Sequence, residues 1–283
     1  MTSLYGVAAI QLQPSADRVD NLRETAGLID EAAGLGAKLV VLPEIFSAPF
    51  VAAEIDATYF DWAEELDGAS NTMVAERSAA HGITIVSSIF EASATPGVYH
   101  NTASFFVNGE AAVHYRKSHL PFSNGFPEKY YFRPGEEPPP VVDLGPTKAG
   151  VIICYERHFP ELGRLVALGG ASIMCVPVAC ASAPTKDVFQ LELRAHAVFN
   201  SMFVVCANRV GSEGGDAARK DYYGLSAIYQ PDGEVASQAR SEGPEVVFAA
   251  VDLASVAERR QRLPFLRDRR PRLYTGLVEE SST

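Results

Sequence analysis

Short apolar runs punctuate the chain at intervals. YGVAAIQLQ, AKLVVLPE, ITIVSSIFE, SIMCVPV, SMFVVCANR and EVVFAAVDL are rich in β-branched residues, the pattern of strands set into a core. Other segments carry apolar residues near helical spacing. In ADRVDNLRETAGLIDEAAGLG these are Val19, Leu22, Ala26, Leu28, Ile29 and Ala33, and Gly34 and Gly36 end the run. A second helix is predicted in SNTMVAERSAAHG, with Ser70 as N-cap and Gly82 as its stop. A third starts at Pro160-Glu161 and ends at Gly169-Gly170, and a fourth runs from about Asp187 to Asn200. NTASFFVNGEAAVHYRK reads as two strands joined at Asn108-Gly109, and QPDGE marks a second hairpin turn. Residues 117–140, dense in Pro, Gly, aromatics and charge, predict a long ordered loop. Alternating strands and helices, mixed with hairpins, predict an α/β fold with helices covering the sheets and sheet packed on sheet. No repeat or linker divides the chain, so residues 1–283 are expected to form a single domain.

Composition adds exclusions. The sequence is 47% hydrophobic and 21% charged, enough apolar material for a large core. A formal net charge of -11 argues against a nucleic-acid partner, and the basic cluster RDRRPRLY is short. The start has no basic region before its apolar run, and no apolar segment reaches membrane-spanning length. Cys154, Cys175, Cys180 and Cys206 have neither zinc-site spacing nor the density of a disulfide scaffold. The expectation is a cytoplasmic protein with free thiols and no membrane partner. The six histidines form no ligand pair, so metal catalysis is not expected. Nucleotide-binding and serine-hydrolase motifs are also missing.

The stretch VIICYERHFPE puts a cysteine where an apolar strand, Val151 to Cys154, runs out into a charged turn. Two other strand ends also carry a reactive group: LVVLPE at Glu44 and AAVHYRK at Lys117. Sites of layered α/β folds lie at strand ends. Brought together, the carboxylate would take the thiol proton, the thiolate would attack a carbonyl carbon, and the ammonium would stabilise the oxyanion, an effect worth ~3 kcal/mol. Each residue also has an ordinary reading. Cys154 could be a small buried hydrophobe, Glu44 a helix cap, and Lys117 a surface lysine. Periodicity alone does not bring the three together.

LPEIF, YRKSHLP and ICYERHFPE, in that order, resemble the Glu, Lys and Cys signatures of the nitrilase (carbon–nitrogen hydrolase) superfamily. VAAIQLQP, EKYYFRPG, ANRVG, YYGLSAI and FRDRRPRLY extend the likeness over nearly the whole chain. The resemblance implies a four-layer αββα sandwich, no cofactor, and a Glu44-Lys117-Cys154 triad. It implies a second glutamate, Glu128, that positions Lys117 or the attacking water. The Tyr155 backbone N–H would help hold the oxyanion. Within the superfamily the chain resembles the N-carbamoyl amidohydrolases, of β-ureidopropionase and N-carbamoylputrescine amidase type. These split R–NH–CO–NH2 into amine, carbon dioxide and ammonia. Aliphatic amidase, ω-amidase or nitrilase chemistry on the same thiol is the alternative, and a non-catalytic scaffold the third. Arg157 is expected to clamp a substrate carboxylate, with an ion pair to Glu161 or a neighbouring acid as the competing reading. His119 is a candidate pocket residue, and Cys180 and Ala181 in ACASAPTKD a small acyl wall. Phe126-Pro127 stands where relatives acting on N-carbamoyl-D-amino acids tend to carry His, and Glu156 where Asp is common. A homo-oligomer, dimer or larger, is implied. Phe189, Leu193 and Ala197 share a face of a helix that resembles a subunit contact, and residues 264–283 form a tail expected to pack across the interface.

Overall fold

β1 (Leu4–Gln11) points Val7 and Ala9 to one side and Ala8 and Ile10 to the other, and both sides are buried. The computed structural model describes residues 4–50, 54–123, 125–181, 185–213, 219–240 and 242–278. After β1 come α1 (Arg18–Gly34), whose Asp17 cap accepts from the Asp20 N–H, and β2 (Leu39–Val41). α2 (Ala69–His81) leads to the antiparallel run of β3 (Thr84–Ala92), β4 (Tyr99–Val107) and β5 (Glu110–Arg116). Asn108 and Gly109 both take positive φ, 51° and 91°, as the two-residue turn requires. β6 (Phe122–Ser123), β7 (Phe126–Pro127) and the one-turn α3 (Glu128–Tyr131) follow. Next are β8 (Val141–Asp143), β9 (Lys148–Val151), α4 (Pro160–Leu168), β10 (Ile173–Pro177), α5 (Lys186–Asn200) and β11 (Phe203–Ala207). A small ladder of β12 (Val210–Glu213) and β13 (Lys220–Tyr223) precedes β14 (Ala227–Tyr229), β15 (Val235–Gln238), β16 (Glu245–Asp252) and α6 (Ala254–Arg262).

One six-stranded sheet has the order β16-β1-β2-β3-β4-β5, the other β15-β14-β11-β10-β9-β8. α1 and α2 cover the outer face of the first, where Ile29, Ala32 and Val74 join Ala8, Ile10, Val40 and Ile85. Its inner face sends Val7, Ala9, Val41, Val86 and Phe105 into one cluster with Cys175, Val204 and Val205 of the second sheet. α4 and α5 join that cluster through Val166, Phe189, Leu193 and Ala197. This is the four-layer αββα arrangement, and burial of each Val, Leu, Ile or Phe side chain in it contributes roughly 1.5–3 kcal/mol. A third cluster, rich in aromatics, holds Phe50, Phe90, Tyr131 and Phe132 beside the 117–140 segment.

Several expectations need correction. β2 covers three residues, and β9 stops at Val151 rather than Cys154, although the Ile152 N–H still donates to the Cys175 carbonyl at 3.1 Å. Ser70 lies inside α2, not at its cap. The cap is Gly68, and the Glu64 carboxylate accepts the Ser70 N–H at 2.9 Å in place of a capping side chain. The 117–140 segment contains a short ladder and a helical turn. Phe189, Leu193 and Ala197 are the core-facing side of α5, not a subunit contact. Its exposed side carries Val188, Leu191 and Phe199. α6, β8, β12 and β13 had no clear signal in the hydrophobic pattern.

At Gly6 the chain leaving α1 presses against β1. A Cβ there would lie 2.1 Å from the Gly36 carbonyl oxygen, and the Lys38 N–H donates to the Gly6 carbonyl at 2.8 Å. Gly6→Ala should therefore separate β1 from β2 locally and cost ~1–3 kcal/mol. Urea unfolding should show a lower midpoint with unchanged slope, and an unchanged midpoint would contradict the close contact.

Candidate active site

Glu44, Lys117 and Glu128 arrive from three elements: the turn after β2, the end of β5 and the start of α3. All three side chains are buried. The Lys117 Nζ donates to Glu44 Oε1 at 2.7 Å and to both Glu128 oxygens at 2.9 and 2.7 Å. Asn101 on β4 adds a bond from Nδ2 to Glu44 Oε1 at 2.7 Å, and its backbone carbonyl takes the Lys117 N–H at 2.8 Å. Glu44 Oε2 is buried with no hydrogen-bond partner among the described residues. Burial works against the Lys117 charge, but Glu128 and Glu44 more than offset it and raise its pKa. Burial pushes the Glu128 carboxyl up to about 8, opposed by Lys117 and assisted by Glu44.

Cys154 lies where a 3-10 turn, Cys154–His158, leaves the end of β9, at φ 46°. That left-handed conformation is strained for a residue with a side chain. Glu156 holds the turn in place. Its Oε2 accepts the Ile153 N–H at 2.7 Å. Its Oε1 accepts the Ser118 N–H, the Ser118 Oγ and the Tyr115 hydroxyl, each at 2.7 Å. The thiol turn and the Lys117 segment are thus fastened to one buried carboxylate.

The thiol opens into a cavity of about 300 Å³ lined by Glu128, Cys154, Tyr155, Arg157, Cys180 and Ala181 among others. The Cys154 and Cys180 sulfurs are 3.9 Å apart. Their mutual contact, then burial, holds the Cys154 thiol well above its ordinary value. The same contact, against burial and with help from Arg157, draws Cys180 down to about 7. Either sulfur can donate, so the two thiols titrate as one pair. A carbonyl carbon entering here would meet a thiol, a buried ammonium and a carboxylate with an oxygen still to be satisfied. That set can perform acyl transfer.

The structure brings Glu44, Lys117, Glu128 and Cys154 into one neighbourhood, with Tyr155, Arg157, Cys180 and Ala181 on the cavity wall. Residues 182–184 of ACASAPTKD lie outside the described residues. Arg157 is not a free clamp. Its Nε is 3.0 Å from Glu192 Oε2, an acid on α5 rather than Glu161, and its Nη1 donates to the Cys154 carbonyl at 3.0 Å. His119 is not brought to the thiol. It lines a neighbouring cavity, stacked on Phe159 with 4.0 Å between ring centres. Sequence reasoning missed Asn101, and it missed Arg209, which is fully buried. The Arg209 guanidinium donates to the carbonyls of Glu44 and Ala48, each at 2.9 Å from Nη2, and pairs with Glu213 at 2.7 Å. The signal available was a lone arginine closing the apolar run VVCANR. Among the described residues no group of three or more His, Cys, Asp or Glu side chains could hold a metal.

A carboxyl whose folded pKa is raised stabilises the fold fully below its unfolded value, and that stability is lost as pH climbs through the folded one. For Glu128 the window runs from 4.5 to about 8. Wild-type Tm should therefore fall relative to Glu128→Gln as pH rises across it. A constant difference would contradict a proton held on Glu128.

A carbon-nitrogen hydrolase family model matches residues 6–261. The chain is 34% identical to the citrullinase of Francisella tularensis, covering 97% of this chain and 98% of that protein. It is 30% identical to the N-carbamoylputrescine amidase of Arabidopsis thaliana, covering 96% and 94%. It is 34% identical to the omega-amidase of Mus musculus, covering 96% and 98%. The crystal structure of a carbon-nitrogen hydrolase from Helicobacter pylori superposes with a TM-score of 0.91 at 28% identity, covering 99% of both chains. The fold, the matched family model and these relatives agree that this chain belongs to the carbon–nitrogen hydrolase family of the nitrilase superfamily.

Proposed function

We propose that the protein hydrolyses the terminal ureido group of an N-carbamoyl amine or amino acid, with Cys154 as nucleophile. The observation that carries the reading is the unsatisfied Glu44 Oε2 beside a Lys117 already anchored by two carboxylates. Glu44 takes the Cys154 proton, and the thiolate attacks the ureido carbon. Lys117 and the Tyr155 N–H hold the oxyanion. The proton returns to the departing nitrogen and ammonia leaves, giving R–NH–CO–S–Cys154. Glu44 then deprotonates a water that attacks the thioester, and Glu128 keeps Lys117 in position. The resulting carbamate loses carbon dioxide and frees the amine. No step calls for a metal or cofactor.

The names of two relatives support the ureido group. Citrulline and N-carbamoylputrescine both end in –NH–CO–NH2 on a short aliphatic chain. A plain ω-amide is the second reading, favoured by the omega-amidase, which matches with the same 34% identity as the citrullinase. Arg157 sits on the cavity wall, and a substrate carboxylate there would share it with Glu192. The four free cysteines fit a reducing compartment, and we place the protein in the cytoplasm. Among the described residues no helix is long and apolar enough to cross a membrane. We further propose that the single catalytic domain self-associates. Leu165 and Leu168 of α4, Leu191 and Phe199 of α5, and Leu273 and Leu277 of the tail are exposed apolar residues that support this. Tail residues 279–283 lie outside the described residues.

A panel of citrulline, N-carbamoylputrescine, N-carbamoyl-β-alanine, an ω-amide and a nitrile tests the reading. Ammonia and carbon dioxide should appear in equal amounts from a ureido substrate, and Cys154→Ala should lower kcat on the order of 10⁴-fold or more. Ammonia without carbon dioxide, from the amide alone, would replace this reading with the ω-amide one. Arg157→Lys should raise KM for citrulline more than for N-carbamoylputrescine, and equal effects would remove the carboxylate contact. Light scattering should give a mass of at least two chains, and a monomer mass would contradict self-association.

A further inference from the structure

Cys180 has no part in the hydrolysis described above, yet it faces Cys154 across the same cavity. Both thiols reach that cavity, and the sulfurs are 3.9 Å apart. A disulfide needs about 2.05 Å, so closure by about 1.9 Å would suffice, a distance within reach of a rotamer change. Both positions are held by their surroundings. The Cys180 N–H donates to Asn208 Oδ1 at 2.8 Å, and Asn208 Nδ2 donates back to the Cys180 carbonyl at 3.3 Å. Cys154 is held by the Glu156 bonds at its turn and by Arg157 on its carbonyl. Two cations lie near the pair, Lys117 by Cys154 and Arg157 by Cys180, although contact with Cys180 and burial keep the Cys154 thiol above its ordinary value. The remaining cysteines differ on every count. Cys175 and Cys206 are fully buried in the inter-sheet core and line no described cavity.

We propose that Cys154 and Cys180 form a reversible disulfide on exposure to hydrogen peroxide, switching off the nucleophile and shielding it from irreversible oxidation. Glu44 takes the Cys154 proton and the thiolate attacks one peroxide oxygen; an S–O bond forms as the O–O bond breaks, and the hydroxide released takes that proton and leaves as water. The Cys180 sulfur, having lost its proton, then attacks the Cys154 sulfur, and the S–O bond breaks to release a second water. The two thiols lose two electrons and two protons, and one peroxide becomes two waters. A sulfenic acid left without a thiol nearby would react with a second peroxide to give sulfinic acid and water, and a thiol reductant does not reverse that product. The geometry gives Cys180 the role of resolving thiol. The inference goes beyond the hydrolase reading, because cross-linking is read by mass and needs no substrate.

The test treats the intact wild-type protein and Cys180→Ala with hydrogen peroxide at several equivalents per chain, followed by non-reducing peptide mapping. Wild type should lose two titratable thiols, yield a Cys154–Cys180 cross-linked peptide, and regain both thiols on treatment with dithiothreitol. Cys180→Ala should instead accumulate Cys154 sulfinic acid that dithiothreitol leaves in place. The wild-type map stands alone if the variant does not fold. A wild-type map with sulfinic acid on Cys154 and no cross-link would overturn the proposal, as would equal recovery of the Cys154 thiol in both proteins. A cross-link in a protein inactive on every amide and ureide would leave the redox site standing and remove only the hydrolase reading.

Discussion

Lys117 holds its ammonium 2.7 Å from Glu44 and 2.7 Å from Glu128, and all three side chains are buried. Charges taken so far from water cost several kcal/mol each unless partners replace the lost solvent. Most of the surrounding architecture supplies those partners. Asn101 satisfies Glu44 from β4 and fixes the Lys117 backbone from the same residue. Arg209 ties down the carbonyls of the Glu44 turn, and Glu213 neutralises Arg209 in turn. What is left over, Glu44 Oε2, is the atom our account uses to take a proton. Removing the ammonium would leave two acidic side chains without their shared partner in a dry interior, so chemistry and stability draw on one cluster.

The thiol half of the site follows a different logic. Its order comes from a strained backbone position held by neutral donors around Glu156. Because Ser118 adjoins Lys117, the same carboxylate sets the distance between the two halves. The Glu156 side chain spans from the Ile153 N–H to the Tyr115 hydroxyl and acts as a structural brace. Arg157 turned out likewise. Its guanidinium is committed to Glu192 and to the Cys154 carbonyl, so its influence on substrate passes through a contact it already makes.

Hydrophobic alternation was enough to place the long strands, the four main helices and the Asn108-Gly109 turn, because each rests on local pattern or positive φ. Short elements were less visible. β8, β12 and β13 are three or four residues long, too brief for a period to register, and α6 is mostly polar. Ser70 carries a capping side chain but spends it on Glu64, a partner contributed by the preceding turn. For the site, strand ends flagged Glu44, Lys117 and Cys154 individually, and only resemblance joined them and added Glu128. Asn101 and Arg209 escaped because their function lies in contacts 57 and 165 residues away along the chain, which no local pattern encodes. His119 looked like a pocket residue because it neighbours Lys117 in sequence. Its ring turns to Phe159 and a different cavity.

The most direct test of the account is a rapid acid quench of enzyme turning over a ureido substrate, followed by intact mass and peptide mapping. The whole substrate less ammonia, R–NH–CO–, should be found bound to the peptide carrying Cys154, with no adduct in Cys154→Ala. Full turnover in Cys154→Ala, or an adduct on another residue, would contradict the claim that the Glu44–Lys117–Glu128 cluster exists to run a thiol nucleophile at Cys154.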